Sequence, residues 1–346
     1  MKKASLFLAP VLLAGLLIGT TLSTSGGASL PATANPILPA SADPAPPSAE
    51  ISNGLIHARL YLPDAEKGYY RGSRFDWSGV MPMLEYQGHS YCGQWFDKYS
   101  PTIHDAIMGP VEAFSPLGYE DAAPGGGFVK IGIGVLARKD ASPYSPFKYY
   151  NLLDPGLWKV NKTKNKVAFI HRLDHTPYPY VYTKTILLPK GRAELVLTHS
   201  LKNTGRRVIE TDVYDHNLFF LDRQPIGPGS VLRFSFPLSA EEARGLGDLA
   251  AMRGDSIVML RQPAAGESVY AILHGYGEQA AGYDIRLEDR ATGAAMRILC
   301  DRPLSKLAYW GSTNILCPEP YLRVTARPGE TVTWKITYQF YTTHEK

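Results

Sequence analysis

From Ile51 onward, apolar and polar residues alternate in short runs broken by glycine, proline and asparagine. Leu55–Leu62 (LIHARLYL) alternates at period two and stops at Pro63-Asp64, and Val129–Val135 (VKIGIGV) alternates with glycines on one face. Lys166–Leu173, Tyr180–Leu188, Glu194–Leu201 and Ile209–Tyr214 follow the same rule. So do Val231–Phe236, Ser256–Leu260, Ser268–Leu273, Met296–Leu299, Lys306–Tyr309 and Thr331–Phe340. A period of two sends successive side chains to opposite faces of a sheet, so these runs predict strands. Only Ala240–Ala251 has a helical composition, and it is short. Many short strands separated by turn residues predict an all-β fold, at this length two large stacked antiparallel sheets. No repeat at a fixed period argues for a propeller.

The first fifty residues break this pattern. Met1-Lys2-Lys3 is positively charged, and Leu6–Thr20 is an apolar run of about 15 residues, short of the roughly 20 needed to span a bilayer. Small residues follow, with Ala-x-Ala-type cleavage points at Ala32–Ala34 and Ala40–Ala42. That order predicts a secretory signal over residues 1–28, and therefore an exported protein, periplasmic or secreted; an uncleaved N-terminal anchor is the alternative. The Pro/Ala-rich stretch 29–49 cannot build a core and reads as a tether, which leaves residues 50–346 as the folded domain.

Export permits disulfides, yet Cys92, Cys300 and Cys317 are the only cysteines. An odd count argues against a disulfide framework; Cys300 and Cys317 could pair, and buried free thiols fit equally well. A net charge of +4 over 346 residues, with no basic block, argues against a nucleic-acid partner. The chain lacks a phosphate-cradling GxxxxGK[ST] loop, a CxxC and an HExxH, so no organic cofactor and no metal are expected from spacing alone.

The chemistry concentrates in three places. In Glu210–Leu221 (ETDVYDHNLFFL), Asp215-His216-Asn217 precedes an apolar run. Asn203-Thr204-Gly205 upstream has hairpin-turn composition and predicts that His216 lies on the strand returning from that hairpin. Histidine exchanges protons near neutrality, although a hydrogen-bonded structural histidine fits the same run. Arg71–Trp77 (RGSRFDW) mixes Arg71 and Arg74 with a carboxylate and Trp77, suited to gripping hydroxyls and stacking on a sugar face, or to propping a loop with an Arg–Asp pair. Gln94–Glu112 adds His104, Asp105 and Glu112 in loop-like sequence. Near the C-terminus, Glu319 follows Ile315-Leu316-Cys317 between two prolines. Glutamate is rarely buried unless paired or functional. A histidine and a glutamate are the minimum for concerted acid–base work.

Taken together in order, these residues resemble the galactose mutarotase (aldose 1-epimerase) superfamily. The resemblance rests on the Leu201–Gly205 turn with Asp215-His216-Asn217-Leu218-Phe219-Phe220. It rests also on Ile315–Glu319, and on Arg327-Pro328-Gly329-Glu330-Thr331 before the last strand, Trp334–Phe340. It covers about Ile51 to the end. It implies a single-domain antiparallel β-supersandwich that binds a mono- or oligosaccharide. It further implies that His216 is the general acid at the ring oxygen and Glu319 the general base at the anomeric hydroxyl, with Asp215 or Asp212 supporting a protonated His216. Arg74, His104, Glu112 and Trp310 are carried over as substrate-binding residues, with Asp284 or Asp301 as a further hydroxyl-binding acid; Arg71 is a substrate-binding candidate from its own neighbourhood, not from the resemblance. The family's Asn-His-x-Tyr-Phe run is here Asp-His-Asn-Leu-Phe-Phe.

Two other functions fit the same residues. A non-catalytic carbohydrate-binding protein would line an open groove with Trp77, Trp95 and Trp310. A polysaccharide lyase or hydrolase acting on acidic glycans would use Arg71 or Arg74 against a uronate, or Glu112 facing Glu319.

Overall fold

The computed structural model describes residues 45–343; the segment 1–28 expected to be an export signal and residues 29–44 of the expected tether lie outside the described residues. The described residues form an all-β antiparallel sandwich: every ladder between strands is antiparallel, and no α-helix is present among them. The first strand, Ser48–Ser52, starts inside the stretch read as tether.

Two sheets make the body. A ten-stranded sheet contains, as consecutive neighbours, Ala294–Cys300, Thr331–Thr342, Glu194–Asn203, Tyr180–Leu187 and Lys166–Leu173. A six-stranded sheet runs Ser239–Arg244, Val269–His274, Lys306–Gly311, Leu316–Ala326, Ile209–Leu218, Gly109–Phe114. Leu197, Leu201, Trp334 and Ile336 of the larger sheet pack on Phe114, Val213, Leu307, Leu322 and Val324 of the smaller, all buried. A second apolar cluster covers part of the other face of the six-stranded sheet, built from Phe75, Trp77, Ile107, Met108 and Phe128 with Val111, Ala113 and Leu218.

Three expectations change. The Asn203-Thr204-Gly205 turn is not a hairpin. The Glu194–Asn203 strand pairs with Tyr180–Leu187 and Thr331–Thr342, whereas Ile209–Leu218 pairs with Leu316–Ala326 and Gly109–Phe114. The turn therefore crosses between sheets, and Asn203 ties it by donating Nδ2 to the carbonyls of Arg207 and Ala326. The helical window Ala240–Ala251 is two edge strands, Ser239–Arg244 and Ala250–Arg253, separated by Gly245 and Gly247 at φ +75° and +93°. Pairing in the sheet overrides the alanine and glutamate content. Val129–Val135 is a tight hairpin between Gly127–Lys130 and Gly134–Ala137, with Gly132 at φ +77° against Asp76.

Candidate active site

Strand parity decides what reaches the open face of the six-stranded sheet. Residues opposite one another in an antiparallel ladder share a face. Tyr214 pairs with Tyr321 and His216 with Val111, and Ala308 pairs with Glu319, Trp310 with Cys317 and Tyr270 with Trp310. The same face therefore carries Tyr214, His216 and Leu218 on one strand, Cys317, Glu319 and Tyr321 on the next, then Trp310 and Tyr270. These line a cavity of about 460 Å³ together with Arg74, Trp95, Asp105, Pro146, Phe147 and Arg244.

Pro318 and Pro320 shape the middle of that face. The ladder between Ile209–Leu218 and Leu316–Ala326 runs from Ile209↔Ala326 to Tyr214↔Tyr321 and stops there. Proline has no N–H to give a ladder, so the two strands part where Pro318-Glu319-Pro320 meets Asp215–Asn217. Asn217 bridges the seam by donating its side-chain amide to the Pro318 carbonyl at 2.9 Å. His216 and Glu319 face each other across it, Nε2 to Oε1 3.4 Å, both side chains nearly buried. Phe75 and Trp310 meet the imidazole edge-on at 5.4 and 6.0 Å between ring centres.

Cys317 holds the other ring nitrogen, with Sγ 2.7 Å from His216 Nδ1. Burial pushes its thiol well above the ordinary value, so it stays S–H. A thiol both donates and accepts weakly, so this contact serves either protonation state of the ring while aiming Nε2 at Glu319. Burial, then the charge of Arg74, lowers His216 to about 3. Burial raises Glu319 to about 7, partly offset by Arg74 and Lys306. A proton on the pair therefore resides on the carboxyl, which holds it about half the time near pH 7.

Arg74 is clamped at the cavity wall. Its Nη1 pairs with Asp105, and Nη2 donates to Tyr214 Oη at 3.1 Å. Its guanidinium lies 4.6 Å from the centre of the Phe75 ring and 5.0 Å from that of Phe147. Burial pushes Asp105 up, but the hydrogen bond from His104 and the charge of Arg74 hold it below its ordinary value.

The other expected residues divide. Trp310 and Trp95 line the cavity, with ring centres 5.8 Å apart. Trp77 is buried, donating Nε1 to the Gly72 carbonyl. His104 sits behind Asp105, Nδ1 to Oδ2 2.8 Å, and Arg71 does not line the cavity. Glu112 is on the wrong face: it pairs with Lys184 and with His199 Nε2 at 2.7 Å in the dry core. It faces away from Glu319, so it is not the second carboxylate that the hydrolase alternative assigned to it.

The supports expected for His216 are also engaged elsewhere. Asp215 points into the core and accepts from Tyr283 Oη at 2.9 Å, while Asp212 is paired with Arg323 at the surface. Asp284 binds Arg297 and Asp301 accepts the Lys335 N–H; neither lines the cavity. All three cysteines are free. Asp105, singled out in the sequence without a role, is the partner of Arg74 at the cavity wall, and Tyr214 and Cys317 are site residues the sequence reading missed. Tyr214 and Cys317 each stand two positions before an expected catalytic residue, hence on its face. A divalent cation would find donors at His216, Cys317 and Glu319, whose ligand atoms lie within 4.8 Å of one another.

No family model matches the sequence, and no curated protein matches it. Solved structures do. An aldose epimerase homologue from C. elegans aligns at 13% identity and TM-score 0.52, covering 86% of this chain and 99% of that one. A galactose mutarotase related enzyme from Lactobacillus acidophilus aligns at 12% identity and TM-score 0.52, over 86% and 99%. A galactose mutarotase-like protein from Clostridium acetobutylicum aligns at 12% identity and TM-score 0.52, over 86% and 95%. The chain has the galactose mutarotase-like fold.

Proposed function

We propose that the protein is an exported carbohydrate-active enzyme that interconverts the anomers of an aldose by acid–base catalysis at His216 and Glu319. The observation that supports this best is the 3.4 Å His216–Glu319 pair, held on two adjacent strands at the floor of an aromatic-walled cavity. Mutarotation needs a proton delivered to the ring oxygen while another leaves the anomeric hydroxyl. Those two oxygens are bonded to the same carbon, so the donor and acceptor must be close neighbours. His216 and Glu319 are.

The reaction needs one proton on the pair. With it on His216 Nε2, the imidazolium protonates the ring oxygen and the Glu319 carboxylate takes the hydroxyl proton. The ring opens to the aldehyde, the C1–C2 bond rotates, and the reverse transfers close the other anomer. Burial favours the same proton on Glu319, so this reading requires it to shift to the imidazole when sugar hydroxyls hydrogen-bond both groups. Arg74, fixed by Asp105, supplies guanidinium N–H groups to sugar hydroxyls. Trp310 and Trp95 offer faces for the apolar side of the ring.

Polarimetry on freshly dissolved α-glucose and α-galactose tests this directly. Wild type should speed equilibration, and His216→Ala and Glu319→Gln should each abolish most of the acceleration. Binding of sugars without acceleration would replace the enzyme reading by that of a carbohydrate-binding protein. Cell fractionation tests export: recovery in the cytoplasm alone would refute it.

A further inference from the structure

We infer that the cleft selects an anionic sugar, a uronic acid in the first instance, whose carboxylate is bound by Arg244. This deepens the proposed function and rests on its sugar-binding reading.

The edge strand Ser239–Arg244 would not present Arg244 to the cleft if it were regular. Glu241 pairs with Ile272, so regular pairing would bring Ala243 opposite Tyr270 and turn Arg244 to the inner face. Instead the ladder contains a bulge, and Arg244 itself pairs with Tyr270. The inserted turn of backbone includes Glu242 at φ +46°, a left-handed conformation that a glutamate adopts at a cost. Gly245 ends the strand directly afterwards at φ +75°. Bulges beside sites commonly re-aim a side chain, and strained backbone persists where the surroundings hold it for a purpose. Here the strain delivers one guanidinium to the cleft wall.

That guanidinium is uncompensated. Arg244 donates Nη2 to Ser268 Oγ at 3.0 Å, and no carboxylate among the described residues pairs with it. The other arginine of the cavity, Arg74, is neutralised by Asp105. Lys306 adds positive charge on the same face one row away, 5.1 Å over the Tyr321 ring, and no carboxylate among the described residues forms an ion pair with it. Between Arg244 and the acid–base pair lie Tyr270 and Trp310, a shelf on which a sugar ring can rest. Three strand spacings separate the Arg244 backbone from that of Cys317, about 14 Å, a gap filled by the arginine stem and one hexose with its exocyclic carboxylate. The arginine fork matches a planar carboxylate bidentately.

The test is titration calorimetry of the intact protein with galacturonate, galactose and galactose 6-sulfate, for wild type and Arg244→Gln, at low and high salt. Tenfold or tighter binding of galacturonate over galactose by wild type is expected, shrinking with salt and reduced toward parity in Arg244→Gln. Equal binding of the acid and the neutral sugar by wild type, or an undiminished preference in Arg244→Gln, would overturn the inference while leaving the sugar site standing. Preference for the sulfate over the uronate would overturn the carboxylate assignment. No binding of any of the three would overturn this inference and the sugar reading together; catalysis is tested separately by the anomer-exchange variants.

Discussion

Asp215 and His216 are neighbours in sequence with opposite surroundings. Behind the six-stranded sheet, Glu112, Lys184, His199, Asp76 and Asp215 form a charged and polar group closed off between the sheets. In front of it, Glu319, His216, Arg74 and Asp105 form a group of the same chemical types opening onto the cavity. Each contains a carboxylate near a histidine and a cation, and several members of each have strongly displaced pKa values. Burial raises Asp76 to about 7 and Asp215 well above its ordinary value, while Lys184 and His199 hold Glu112 down against burial. Perturbed titration therefore does not distinguish the two groups. Access does: a substrate reaches only the front, so the rear cluster can act only on stability and alignment.

Mutation should separate these roles. The largest effect is expected in front: His216→Ala or Glu319→Gln lowers kcat/KM for anomer exchange by about 10²–10⁴-fold, with little change in the thermal midpoint by calorimetry. Behind, Glu112→Ala strands the Lys184 charge in the core and should cost about 3–5 kcal/mol in urea unfolding; loss of activity at unchanged stability would break the division drawn here. The pH profile sharpens it. The front pair needs one proton, lost as pH rises through about 7 and joined by a second as pH falls through about 3. So kcat/KM should fall about tenfold per unit above pH 7 and hold on the acid side until the fold itself fails. The smallest effect is expected at Cys317. Cys317→Ala removes the Nδ1 partner, worth about 1 kcal/mol as a hydrogen bond. Steady-state kinetics should show a several-fold loss and a displaced alkaline limb, both restored by Cys317→Ser.

Much of this was legible from alternation. Runs such as Lys166–Leu173 and Thr331–Phe340 reappear as strands because period two is a local signal. The placement of His216 and Glu319 on facing strands was implied by the ordered resemblance. What sequence could not convey was which strands become neighbours, and therefore which residues share a face. Glu112 looked loop-borne because Gly109-Pro110 precedes it, yet it lies on a strand whose parity opposes that of His216. Leu316–Ala326 was hidden by its two prolines, which ordinarily argue against an interior strand; here they mark where the ladder opens. The edge strand at Ala240 read as helical because its residues favour helices, and only the adjacent Val269–His274 strand settles the matter.

The ion pair between Lys184 and Glu112 has a further consequence for assembly of the chain. Sliding the Gly109–Phe114 strand by one residue would tip Glu112 outward and take from the buried Lys184 ammonium its direct carboxylate partner. Misaligned intermediates are thus penalised before any ligand exists to select among them. Through its effect on folding, a contact that never meets the substrate protects the alignment on which the proton exchange would depend.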